Sequence, residues 1–181
     1  MNEKLRFISV ELPLVGQKAD VLAKELKELE DKTIVLDLTR SMRGKSIEAI
    51  FRLSVQGDKV LANLERLHVL PFYVRRMMRK SVDYVEDSFD IKVKDATIRV
   101  KPFLITRKKV HRSVRTALRN LAKEEITNSF KDKNTDEIFK ELLGGRFQKS
   151  LSLKLKKIYP LTFCDIRDMF IKPEQKIDVA K

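Results

Sequence analysis

The stretch Ala96-Thr-Ile-Arg-Val-Lys-Pro-Phe-Leu-Ile-Thr-Arg-Lys-Lys-Val-His-Arg-Ser-Val-Arg-Thr-Ala-Leu-Arg-Asn-Leu-Ala-Lys123 holds nine Lys or Arg among its 28 residues and no Asp or Glu. Its first half alternates as a strand does. Ile98, Val100 and, past Pro102, Leu104 are separated by Arg99, Lys101 and Phe103. From Thr106 the period changes, and Val110, Val114, Ala117, Leu118 and Leu121 fall at helical spacing. Between them stand Lys108, Arg112, Arg115, Arg119 and Lys123. At about 100° per residue these cations lie within roughly 80° of one another, away from the apolar stripe. One face of the predicted helix enters a core. The other presents a ridge of cations that nothing in the local sequence neutralises, and a polyanion is its natural partner.

The stretches before it read mainly as strands. Leu5 to Leu12 alternates, and Pro13 and Gly16 end it. Val21 to Glu30 admits two readings. Val21, Leu22, Leu26 and Leu29 have helical spacing, but Lys18 to Ala23 followed by one helical turn is preferred. Thr33 to Arg40 is rich in β-branched residues and predicts a strand, followed by a loop at Ser41 to Lys45. Ile47 to Val55 and Lys59 to Leu70 form a hairpin about Gly57-Asp58. Pro71 opens a short helix, Phe72 to Lys80, with Phe72, Val74, Met77 and Met78 towards the core. Val82 to Val93 is a strand, bulged near Asp87-Ser88, that turns at Lys94-Asp95 into Thr97 to Thr106.

After the basic helix, Asn134 and Glu137 have the spacing of a capping box. Ile138, Phe139, Leu142 and Leu143 stripe a helix that Gly144-Gly145 ends. Arg146 to Ile158 is a further helix with five cations and no acid, and Leu161 to Ile171 a closing strand. Hairpins dominate and βαβ alternation is absent. The pattern predicts an α+β fold with an antiparallel, barrel-like sheet, flanking basic helices and a C-terminal return strand. A single domain over residues 1–172 and a polar tail at 173–181 are expected.

The 181 residues carry a formal net charge of +13, with 43% hydrophobic residues to fill a core. Nucleic acid, an anionic membrane surface or an acidic protein would neutralise that charge. The basic helix lacks a Trp- or Phe-bearing face suited to a membrane interface, and no apolar run approaches the roughly 20 residues of a span. The residues Asn2, Glu3 and Lys4 ahead of a short alternating run give no expectation of a signal peptide. A cytosolic protein is expected. One cysteine, Cys164, excludes a disulfide framework and reads as a packing thiol.

Catalytic chemistry finds little support. His68 lies in a strand pattern and His111 among Lys109 and Arg112. No His, Cys, Asp or Glu set has metal-ligand spacing, and no glycine-rich phosphate loop occurs. No enzyme activity, cofactor or metal is expected. The positive signal is four cation clusters: Arg40, Arg43 and Lys45; Arg75, Arg76, Arg79 and Lys80; Arg107 to Lys123; and Arg146 to Lys157. A charged helix face alone is often only solvated. A concentrated excess on this scale is the footprint of a nucleic-acid binder. With no exposed stacking aromatics expected, contact through phosphates and shape suits folded RNA.

The run Ile91-Lys-Val-Lys-Asp-Ala-Thr-Ile-Arg-Val-Lys-Pro-Phe-Leu-Ile-Thr-Arg-Lys-Lys109, continuing His111-Arg-Ser-Val-Arg-Thr-Ala-Leu-Arg119, closely resembles the archaeal and eukaryotic small-subunit ribosomal proteins of the eukaryotic-type S-one (S-three-Ae) family. Leu36-Asp-Leu-Thr-Arg40, Tyr73-Val-Arg-Arg76 with Arg79-Lys80, and Lys156-Lys-Ile-Tyr-Pro-Leu161 with Asp165-Ile-Arg167 are similar to the family's early strand, short basic helix and closing segment. The resemblance covers about residues 30 to 170. Thr162, Phe163 and Cys164 depart from it, standing where many members keep basic residues.

The resemblance implies a barrel-like core on the small-subunit platform near the mRNA exit, with small-subunit rRNA and neighbouring platform proteins as partners and mRNA nearby. It implies no homo-oligomer. The residues expected at rRNA are Arg107, Lys108, Lys109, His111, Arg112, Arg115 and Arg119, with Arg40, Arg43, Lys45, Arg75, Arg76, Arg79 and Lys80. A free-standing RNA-binding or regulatory module is the alternative.

Overall fold

The structure is a computed structural model that describes residues 5–42, 44–57 and 59–172. The expected tail at 173–181, Arg43 of the first cluster and Asp58 of the hairpin turn lie outside the described residues. The chain divides into two compact units, the first ending at Leu67 and the second beginning at His68.

The first unit is built of strands. β1 (Arg6–Leu12) and β2 (Gln17–Ala23) form an antiparallel hairpin with Phe7 opposite Leu22 and Val10 opposite Ala19. A 3-10 turn over Leu26–Leu29 follows, so the strand-then-turn reading of this segment holds. β3 (Thr33–Asp37) pairs antiparallel with β4 (Ile47–Gln56). It ends three residues short of the expected Arg40, where the Asp37 carboxylate accepts from the Thr39 amide at 2.7 Å and from its hydroxyl. Such a local acceptor competes with a strand ladder. It also holds the Asp37 carboxyl below its ordinary range.

β4 alternates as a half-buried strand should, with Ile47, Ala49, Phe51 and Leu53 inside. Its hairpin partner is β5 (Lys59–Val69), reached through Gly57 at φ 62°, a left-handed value that glycine adopts freely. β5 buries Val60, Ala62 and Leu64, then Leu67 and Val69, so its inward parity changes after Leu64. Arg66 is half-buried. Parallel pairing of β1 with β5, Glu11 opposite Leu61, gives the order β2-β1-β5-β4-β3.

The second unit is α+β. α1 (Pro71–Met77) carries proline at its start, as expected, but stops before Lys80. Its inward residues are Tyr73 and Val74; Phe72 and Met78, expected in the core, are exposed. A helix of two turns has room for one short inward arc, and Tyr73 fills it against the Phe163 ring. The strand expected over Val82 to Val93 is broken at Asp87-Ser88 into β6 (Tyr84–Glu86) and β7 (Phe89–Lys92). Both pair antiparallel with β8 (Thr97–Thr106), which pairs on its other side with β9 (Leu161–Ile171). Residues Pro102 to Thr106 of β8 are all buried, so both faces of the strand are covered there. Cys164 on β9 is half-buried.

α2 (Arg112–Phe130) packs on β6 and β7, and α4 (Arg146–Leu155) on β9. Between them lies α3 (Thr135–Gly144), opened by the capping box of Asn134 and Glu137 and closed by Gly145 at φ 68°. Their shared core holds Leu118, Ala122, Ile126 and Phe130 of α2, Ile138 and Phe139 of α3, and Phe147, Leu151 and Leu155 of α4.

The pairings make a mixed, mostly antiparallel sheet that does not close, so the barrel-like core expected from the sequence is not found. Among the described residues β2 and β3 each have a single partner strand, and β6 and β7 share one. Closure requires every strand to have two partners. Here the exposed outer residues of β2 and β3 include Lys18, Asp20 and Asp37, charges of the kind that keep sheet edges from pairing further.

Candidate nucleic-acid interface

The cations of Ala96–Lys123 divide into those the fold consumes and those it leaves exposed. Arg99 donates to Asp90 through Nε at 2.7 Å and Nη2 at 3.1 Å, and Lys172 joins the same carboxylate. These hydrogen bonds hold the Asp90 carboxyl far below the usual carboxylate range. Lys101 Nζ lies 3.0 Å from the buried carboxylate of Asp168. Lys123 Nζ sits 5.7 Å over the Phe89 ring. Arg119 Nε donates to the Glu86 carbonyl at 3.3 Å. Arg115 is half-buried, its Nε enclosed with no hydrogen-bond partner among the described residues.

Arg107, Lys108, Lys109 and Arg112 are different. All are exposed and form no ion pair among the described residues. Lys108 and Val110, which the spacing places on the helix, lie outside it. β8 ends at Thr106 and α2 begins at Arg112, so residues 107–111 are a loop.

Backbone bracing makes this loop a fixed platform. The buried Thr106 hydroxyl accepts from the Asp83 amide at 3.0 Å, and it reaches the Lys108 carbonyl at 2.7 Å and the Asp83 carbonyl at 2.9 Å. The Thr106 amide donates to the Asp83 carbonyl at 2.9 Å. The Asp83 carboxylate then accepts from the Val110 amide at 2.9 Å, and the Arg107 amide donates to the Pro160 carbonyl at 3.2 Å. Asp83 therefore holds both ends of the basic loop. Nothing in the neighbouring sequence marks that role, because its partners lie more than 20 residues away. Asp83→Ala leaves the Val110 amide without its acceptor, a loss of about 1–3 kcal/mol. Urea unfolding should report that loss, and Asp83→Asn, which retains an acceptor oxygen, should recover most of it.

The loop delivers its cations to the amino end of α2. His111 is the N-cap and supplies no side-chain cap, and the first turn contains Arg112 and no acid. A helix start carries unpaired amides and a partial positive charge, which disfavour cations by about 0.3–1 kcal/mol each and favour an anion. With Arg107, Lys108 and Lys109 beside it, this end has the donors and the field to hold phosphate oxygens.

Arg75, Arg76, Arg79 and Lys80 are exposed on α1 and just after it. Arg76 lies 5.3 Å over the Tyr73 ring. Arg75 shares a concavity with Glu86, whose carbonyl binds Arg119, so α1 and α2 each bring an arginine to β6. Arg40 is exposed and Lys45 half-buried, both in the first unit. On α4, Arg146 and Lys149 are exposed, as are Lys156 and Lys157 just after it, and Lys154 pairs with Glu125 of α2. Exposed aromatic surface, not expected from the sequence, is present at Phe7, Phe72 and Tyr84.

Among the described residues no group of three or more His, Cys, Asp or Glu side chains could hold a metal. No described helix is long and apolar enough to cross a membrane.

Residues 16–172 match the model of the Ribosomal S3Ae family. The chain belongs to that family. Among curated relatives it is 29% identical over 141 residues to the small ribosomal subunit protein eS1 of Nanoarchaeum equitans, covering 77% of this chain and 71% of that protein. It is 28% identical over 137 residues to the eS1 protein of Saccharolobus islandicus and 26% identical over 137 residues to that of Saccharolobus solfataricus. Each of those matches covers 75% of this chain and 66% of the relative, so the chain spans about two thirds of their length. The S3Ae family is one of structural ribosomal components and not of enzymes, in agreement with the resemblance read from residues 91–119. The matched span includes the basic loop, α1 and α2 in full.

Proposed function

We propose that this chain is a structural constituent of the small ribosomal subunit in the cytoplasm, with residues 1–172 acting as one rRNA-binding domain. Small-subunit rRNA is its principal partner, with neighbouring ribosomal proteins of the platform and mRNA near the exit, and it acts as a single copy. The observation that carries this reading is the exposed, unpaired set Arg107, Lys108, Lys109 and Arg112 on a braced loop at a helix start, in a chain of the S3Ae family. A helix that opens on cations is mildly destabilised in isolation, and an rRNA phosphate at that position relieves the strain. His111, Arg115 and Arg119 extend the contact along α2, and Arg75, Arg76, Arg79 and Lys80 widen it from α1. Arg40, Arg43 and Lys45 form a separate contact. The platform position near the mRNA exit rests on the family resemblance.

A sucrose gradient of the tagged protein tests the assignment. Co-sedimentation with small subunits, abolished when nuclease degrades the rRNA, is expected. A pool remaining at the top of the gradient without nuclease would favour the free-standing RNA-binding module instead.

A further inference from the structure

Val74, Arg75 and Met78 face Tyr84, Glu86, Phe103 and Arg167 across a concavity of about 280 Å³ in the second unit. Its floor is apolar: Val74 and Phe103 are buried. Its wall is Tyr84, 56% exposed, whose ring is inclined 28° to the Phe103 ring with centroids 6.3 Å apart. The strand pleat accounts for this arrangement. Tyr84 and Glu86 share one face of β6, and Glu86 stands opposite Phe103 on β8. The polar groups are the Glu86 carboxylate, which accepts from Arg167 Nη1 at 2.6 Å, and the guanidinium of Arg75.

We propose that this concavity takes one unstacked guanine of the bound RNA, an inference that rests on the rRNA-binding function above. The volume lies below the roughly 300–1,000 Å³ of pockets that hold drug-sized ligands, which suits a single flat base. An exposed tyrosine ring over an apolar floor is the surface on which a splayed base stacks. No acid occurs between Arg66 and Val82, so Arg75, Arg76, Arg79 and Lys80 offer uninterrupted positive charge to the phosphates on either side of that base. Guanine matches the polar groups. Its N1–H and 2-amino group donate to a carboxylate such as Glu86, while its O6 and N7 accept from arginine. Adenine has no donor at N1 or C2.

The test uses the full chain and three otherwise identical RNA hairpins, with a single-guanosine bulge, a single-adenosine bulge or no bulge. The guanosine-bulged hairpin should bind tighter than either of the others by on the order of tenfold. Tyr84→Ala should erase that difference and Tyr84→Phe should keep it. Glu86→Ala should equalise guanosine and adenosine. A 2-aminopurine bulge should lose fluorescence on binding the wild-type and Tyr84→Phe proteins and keep it with Tyr84→Ala. Equal affinity of the wild-type protein for all three hairpins, with a steep salt dependence, overturns the pocket and leaves the rRNA-binding reading intact. Failure to bind any of them overturns both.

Discussion

Replacing Arg107, Lys108, Lys109 and Arg112 together by glutamate should lower affinity for small-subunit rRNA by on the order of 10³ or more at physiological salt. Each cation that neutralises a phosphate releases counterions, and each such contact contributes about 0.9 to the slope of log affinity against log salt on duplex. Losing four contacts therefore lowers the slope by about 3 to 4, and the introduced acids add repulsion. The fold should not suffer. All four residues are exposed and none is tied into an ion pair among the described residues. An acid in place of Arg112 suits the helix dipole by about 0.3–1 kcal/mol, so the melting temperature should stay level or rise while binding disappears. That opposite movement separates a functional cation from a structural one. Filter binding at several salt concentrations, beside a thermal melt, reads both quantities. Unchanged affinity would remove the β8–α2 loop from the interface.

Reversal at Arg112, Arg115 and Arg119, three of the five cations that helical periodicity groups on one face, is a poorer probe. Periodicity places these residues on one face, and the structure agrees. It does not show that the Arg115 Nε is enclosed or that Arg119 Nε binds the Glu86 carbonyl. Glutamate at either position would disturb packing, and lost binding would then be ambiguous.

What was legible in the chain was local. The capping box at Asn134, the stop at Gly144-Gly145 and the strand Leu161–Ile171 depend on neighbours within a few residues, and all appear as read. What was not legible depends on distant partners. Lys101 is neutralised by Asp168, 67 residues away, and no local pattern could mark it as consumed. The loop at 107–111 interrupts a helical period that the residues themselves support, because Asp83 and Thr106 hold that backbone in another conformation. Whether a curved set of strands closes is a property of its edges, which hydrophobic alternation does not report. Phe72 failed as a core residue for a related reason. Spacing supplies a stripe, but the length of α1 and the Phe163 ring decide that Tyr73 takes the inward place.

The second large effect is on stability. Phe130→Ala should destabilise the folded state by about 3–5 kcal/mol, the range for deleting a fully buried aromatic. Phe130 is the last residue of α2 and is wholly buried, with its ring centroid 4.8 Å from that of Phe147 on α4. Typical domains have only about 5–15 kcal/mol in total, so this one change takes a large share. Phe130→Leu keeps most of the volume and should cost much less. Phe147→Ala should also destabilise. The double variant should cost less than the two singles combined, because the ring–ring contact, about 0.5–1.5 kcal/mol beyond buried area, can be lost only once. Urea melts with an unchanged m-value would assign these losses to the native state. RNA binding by Phe130→Ala should fall at elevated temperature and return on modest cooling, since the variant removes folded molecules and leaves Arg107, Lys108, Lys109 and Arg112 in place on those that remain. Binding lost equally at all temperatures at which the melt shows a folded chain would mean that the α2–α4 packing also shapes the interface.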